Sequence, residues 1–246
     1  MSRNDDVKDV IAMLKDTGIQ GCITGSCLLD ADFDAWDSEP DVDVFCYSQE
    51  AFVHAATLLL ESRGFCLGEH GRANQDAERW KLERTIKRGF DHKSRLVTCK
   101  MNNGRVTVNV TWRKGQRSVL DVVSAFDMTM VMHGIDIPTG LDVDLRRTIP
   151  CSSPRVAEPN PFRSQDVDAY TTAQWVRQFD RVVKYWNRGF DTRPMARFYL
   201  KMIDGVIEKG CLFTTDKAVE YFDEWKEEHV EVRQRIAEWL RDKEDC

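Results

Sequence analysis

Two short motifs carry residues suited to chemistry on phosphate. Cys22-Ile23-Thr24 leads into Gly25-Ser26, and fourteen residues then separate Ser26 from Asp41-Val42-Asp43-Val44-Phe45. Strand alternation puts Asp41 and Asp43 on one face and turns Val42 and Val44 toward a core. Two adjacent carboxylates repel unless a cation lies between them. Mg²⁺ suits that position, because it takes hard oxygen ligands and commonly joins protein carboxylates to phosphates. Gly25 lets a backbone come close to a ligand, and Ser26 offers a hydroxyl and an N–H at a helix start. Phosphate at the turn and metal on the carboxylates is the arrangement for phosphoryl or nucleotidyl transfer. The competing reading is a solvated acidic segment, since Asp30, Asp32, Asp34, Asp37 and Glu39 lie between the motifs.

The pattern of Gly-Ser, a spacer, and Asp-hydrophobic-Asp-hydrophobic resembles the DNA polymerase beta-type nucleotidyltransferase superfamily. The resemblance covers residues 19 to 47, with weaker support to about residue 133. It implies that Gly25 and Ser26 hold the triphosphate of a nucleotide. It also implies that Asp41 and Asp43 ligate catalytic Mg²⁺ (or Mn²⁺). The superfamily pattern asks for a third carboxylate on a strand of the same sheet. Here the matching position is Asn109, an atypical residue that offers a carbonyl ligand without charge. Asp127 is the second candidate, expected to follow a helix over 119–126 and enter the sheet. On this resemblance the chain is a metal-dependent nucleotidyltransferase. It would move a nucleoside monophosphate from ATP or another nucleoside triphosphate to an acceptor hydroxyl on RNA, protein or a small molecule. Lys81, Arg84 and Lys87 are candidates to meet the leaving phosphates or an RNA backbone. The alternative is a catalytically inactive scaffold of the same fold that binds protein or nucleic acid. Hydrolysis, with water as acceptor, is a third reading.

The elements that must position these groups follow from periodicity. Val7, Val10, Ile11 and Leu14 mark a first helix, and Phe52, Ala55, Ala56, Leu59 and Leu60 mark another over 50–63. Residues 71–90 read as a basic loop, or a loop ending in a short helix. A strand over 96–100, the turn Asn102-Asn103-Gly104 and a strand over 106–112 form a hairpin. Prolines and glycines make 134–170 loop-rich. Helical patterns follow: Trp175, Phe179, Val182, Val183 and Trp186 form an apolar stripe, with Arg177, Arg181, Lys184 and Arg188 offset from it. Further helices cover 194–208 and about 216–242.

The expected fold is α+β: a mixed sheet with flanking helices over 1–135, a loop-rich connection over 136–165, and a helical region over 166–246. The 246 residues suffice for a sizeable core, and 42% hydrophobic with 31% charged is an ordinary soluble composition. No apolar run approaches a membrane span of roughly 20 residues. The polar, acidic start MSRNDDVKDV is not expected to act as a secretory signal. Eight scattered cysteines without a CxxC pair indicate neither a zinc site nor a disulfide framework, and a reducing cytosol is expected. Residues 1 to 50 hold three basic and twelve acidic side chains, whereas 72 to 117 hold thirteen basic and four acidic. That local reversal matters more for polyanion binding than the net charge of −6.

Overall fold

The computed structural model describes residues 3–29, 41–62, 64–67, 75–91, 96–149, 155–161, 171–209 and 218–244. The acidic spacer from Asp30 to Glu39 lies outside the described residues. The chain divides into two compact units. One holds residues 1–126 and 131–150, and the other holds 127–130 and 151–246.

The first unit is built on a six-stranded mixed sheet. Its strands are β1 (Gly21–Thr24), β2 (Asp41–Cys46), β3 (Leu96–Asn102), β4 (Thr107–Arg113), β5 (His133–Asp136) and β6 (Asp142–Asp144), in the order β3-β4-β2-β1-β5-β6. β2 and β4 run parallel, and every other pairing is antiparallel. The expected hairpin joins β3 to β4, and Gly104 takes the positive φ of its turn.

Strand alternation separates two faces. Val42, Val44, Val97, Cys99, Met101, Val108, Val110 and Trp112 make one apolar, buried face. Helices α1 (Arg3–Lys15), α2 (Gln49–Ser62) and α3 (Gln75–Asp91) pack in this unit. Phe90 of α3 meets Phe52 of α2 at 5.7 Å and Trp112 of β4 at 5.4 Å between ring centroids, both edge to face. At Gly89 an added Cβ would lie 2.7 Å from a Val97 methyl, so α3 sits tightly on this face. The other face holds Cys22 and Thr24, Asp41, Asp43 and Phe45, and then Thr107, Asn109 and Thr111. One end of it is covered by α4 (Val119–Ser124), whose Val119, Val122 and Val123 cluster with Cys22 and with Phe45, Tyr47, Phe126 and Val143.

Several elements differ from the sequence expectation. Residues 75–91 form a full helix of 17 residues, because an exposed helix needs only a narrow apolar stripe and Leu82 with Phe90 provides it. The stretch expected to be loop-rich contributes residues 134–136 of β5 and the whole of β6 to the sheet. Outside the named strands, Cys66 makes an isolated bridge to Asn102.

The second unit contains α5 (Thr172–Trp186), α6 (Arg193–Lys209) and α7 (Ala218–Glu244). Thr171 and Gln174 form a reciprocal capping box at the start of α5. Trp175, Phe179, Val182 and Tyr185 are the buried stripe of α5. Trp175 packs on Tyr199 at 6.0 Å, and Phe179 and Trp186 both pack on Trp239. The last helical stretch is one helix of 27 residues rather than several. An α+β fold with a mixed sheet, flanking helices and a helical C-terminal region is therefore what the chain adopts.

Candidate active site

β1 ends in a short 3-10 turn, Gly25–Leu28, in which Gly25, Ser26 and Cys27 are buried. Gly25 has φ +86°, a left-handed backbone open to glycine and strained for other residues. A Cβ built on Gly25 would lie 2.3 Å from Asp43 Oδ2. Both facts require glycine: the turn must bend there, and its backbone lies against the carboxylate. Ser26 Oγ donates to Asp41 Oδ1 at 3.3 Å. The two motifs thus meet side by side despite the spacer between them.

β4 brings a third group. Asn109 is in register with Asp43 across the parallel pair, and its amide Nδ2 donates to Asp43 Oδ1 at 2.9 Å. On the other side of Asp43, β1 puts Thr24 in register. Thr24 is fully buried, and its Oγ1 has no hydrogen-bond partner among the described residues. A buried hydroxyl left unmatched is costly, so this atom is suited to a ligand or water at the same place. The field of the carboxylates is felt nearby. Burial pushes the Cys27 thiol up, and the negative charges of Asp43 and Asp41 add to it.

The donor set comprises two carboxylates, a hydroxyl and an amide. That chemistry suits a hard cation and not a thiolate or imidazole metal. Among the described residues no group of three or more His, Cys, Asp or Glu side chains could hold a metal ion.

The other expected site residues lie elsewhere. Asp127 does not enter the sheet. It belongs to the second unit, where its carboxylate accepts from Arg181 at 2.6 Å and from the Tyr199 hydroxyl at 3.2 Å. Lys81, Arg84 and Lys87 stand on α3, which packs on the apolar face, so the sheet lies between them and the carboxylates. Lys81 pairs with buried Glu78 at 2.8 Å, Arg84 lies over the Trp80 ring at 5.1 Å, and Lys87 is exposed. The structure joins Gly25, Ser26, Asp41, Asp43 and Asn109 in one place. It adds Thr24, to which the sequence reading gave no role of its own.

Buried thiols account for several cysteines. Burial pushes Cys22, Cys46 and Cys99 each up to about 12, where they are inert as nucleophiles. No helix among the described residues is long and apolar enough to cross a membrane. No family model matches the chain, and neither curated proteins nor solved structures match it.

Proposed function

We propose that this chain is a nucleotidyltransferase that moves a nucleoside monophosphate from a nucleoside triphosphate to an acceptor hydroxyl, in the cytoplasm. The observation that carries the reading is the contact between the two motifs: Gly25 fits against Asp43, and Ser26 bonds Asp41. A turn whose backbone lies against paired carboxylates is what a metal-bound triphosphate needs.

Asp41 and Asp43 would hold Mg²⁺ or Mn²⁺, with Ser26 and Asn109 at its margin. The ion, when bound, neutralises phosphate charge and polarises the phosphoryl oxygens. Gly25 and Ser26 grip the outer phosphates through backbone N–H groups. Asn109 fixes the rotamer of Asp43 by its hydrogen bond. Transfer forms a bond from the acceptor oxygen to the alpha phosphorus and breaks the bond to the bridging oxygen. Pyrophosphate leaves with that electron pair, and the hydroxyl proton goes to water. Positioning supplies much of the rate in such a site.

Calorimetry with ATP, GTP, CTP and UTP tests the binding step. Binding is expected with Mg²⁺ and lost in chelator, and equal binding in chelator removes the metal's role. Alpha-labelled nucleotides with a cell extract test the chemistry, with label followed into RNA, protein and small-molecule fractions. An Asp41→Asn, Asp43→Asn double variant should lose at least about 10²-fold in labelling. Labelling unchanged in that variant would sink the assignment.

One observation favours a second reading, a binding scaffold without turnover. Asn109 stands beside Asp43 where the superfamily pattern asks for a carboxylate. Metal-dependent nucleotide binding with no label transferred to any fraction would support it.

A further inference from the structure

Register across the sheet extends the carboxylate row to a residue beyond the motifs. Thr24 on β1 pairs with Asp43 on β2, Asp43 with Asn109 on β4, and Asn109 with Lys100 on β3. Directly paired residues point to the same side of a sheet. One line across four strands therefore reads hydroxyl, carboxylate, amide, ammonium. Lys100 is exposed, and among the described residues it has no ion-pair partner.

The strand order gives this line a direction. β1, with its Gly25–Ser26 turn, lies on one side of β2. β4 and β3 lie on the other. With strands about 4.8 Å apart, Lys100 is roughly 10 Å beyond Asp43 and on the side away from the turn. If the turn grips the outer phosphates, Lys100 faces what approaches the alpha phosphorus from the opposite side.

Among the described residues, β3 and β4 carry no acid on this face. On this face β3 presents Thr98, Lys100 and Asn102, and β4 presents Thr107, Asn109, Thr111 and, at its end, Arg113. Thr98 and Thr111 join by their hydroxyls at 3.1 Å, and Asn102 Nδ2 donates to Thr107 Oγ1 at 2.8 Å. Those pairs tie β3 to β4 on this face, where Lys100 and Arg113 are the full charges. A polycationic acceptor such as an aminoglycoside would meet like charge on these two strands.

We propose that Lys100 selects the acceptor, and that the acceptor hydroxyl belongs to a molecule bearing a phosphate beside it. The inference rests on the nucleotidyltransferase reading. Its chemistry has two sources, the end of an oligoribonucleotide or a free nucleoside monophosphate.

The test measures binding by the full chain in Mg²⁺. The probes are a fluorescent ten-residue oligoribonucleotide, the same strand as a competitor, and AMP as a second competitor. Lys100→Met should weaken oligoribonucleotide binding by about tenfold, the size of one charge-assisted contact. Lys100→Arg should restore it. Thermal melting should be unchanged in both, since Lys100 is exposed, and Mg–ATP binding should be unaltered. Competition by AMP at concentrations near those of the strand identifies a small phosphorylated acceptor. Competition by the strand alone identifies an RNA end. Either result supports the proposal. Equal binding by wild type and Lys100→Met overturns it, as does preferential labelling of an unphosphorylated protein or an aminoglycoside. If wild type fails to bind Mg–ATP, the nucleotidyltransferase reading falls first and takes this inference with it. If Mg–ATP binds and Lys100→Met changes nothing, only this inference falls.

Discussion

Asn109 donates its side-chain amide to Asp43 Oδ1 at 2.9 Å, across the parallel strands β4 and β2. A carboxylate at that position would add a third negative charge beside Asp41 and Asp43. Repulsion would then be relieved by a cation. Asn109→Asp is expected to raise Mn²⁺ affinity in the absence of nucleotide by about tenfold, because ligand charge count sets affinity in oxygen sites. Titration calorimetry checks this. No gain over wild type would separate Asn109 from the metal's surroundings.

Gly25→Ala tests the contact that joins the motifs. The added methyl meets Asp43 Oδ2 and demands an unfavourable φ. Together these should cost about 2 kcal/mol or more. They should also abolish metal-dependent nucleotide binding, since the turn and the carboxylate must part. Urea denaturation and calorimetry give the two readings. A variant as stable as wild type would contradict the close approach.

The basic residues of α3 offer a contrasting test. Arg84→Glu with Lys87→Glu should leave Mg–ATP affinity within about twofold of wild type at physiological salt, because exposed charges beyond a Debye length of roughly 8 Å are screened. A large loss would mean that α3 reaches the nucleotide after all.

Asp127 is expected to matter for stability rather than for metal binding. Its side chain is 7% exposed, and its partner Arg181 is 35% exposed. Arg181 can turn toward water when its partner is removed, but Asp127 cannot. Arg181→Met should therefore destabilise the second unit more than Asp127→Ala. The expected costs are about 3 kcal/mol against roughly 2. Hydrogen exchange across α5 measures both. Mn²⁺ affinity should be unchanged in either variant.

Acid should loosen the second unit through Asp191. Its carboxylate accepts from Arg193 Nε at 2.8 Å and Nη2 at 2.9 Å, and from the Arg193 backbone at 3.1 Å. The Arg193 side-chain hydrogen bonds, with its backbone N–H and charge, hold Asp191 below the ordinary carboxylate range. A depressed folded value means that the stabilisation is present above the unfolded value of about 3.9 and is lost as pH falls through the folded one. Asp191→Asn should lower the melting temperature at pH 7. The gap to wild type should close as pH falls through the folded value. A gap that persists unchanged in acid would rule out the carboxylate's charge as its source.

The sequence alone determined the local pieces. Alternation in Asp41-Val42-Asp43-Val44 put both carboxylates on one face, and the glycine at 25 marked a turn. Apolar spacing marked most of the helices, and Asn-Gly marked the hairpin. These signals are local, because each depends on the period of one element or the φ of one residue. What only the tertiary structure decided is which residues become neighbours. Parity puts Asn109 and Lys100 on a face of their strands. Register then sets them in line with Asp43, and register depends on pairings between strands far apart in sequence. β5 and β6 span four and three residues, too short for a periodic signal among prolines and glycines. α3 carries its cations on the far side of the sheet because Phe90 and Gly89 dock on Trp112 and Val97. Asp127, adjacent in sequence to the first unit, folds into the second because Arg181 and Tyr199 satisfy its buried charge there. A buried carboxylate goes where its partners are, and partners 54 and 72 residues away leave no trace in local periodicity.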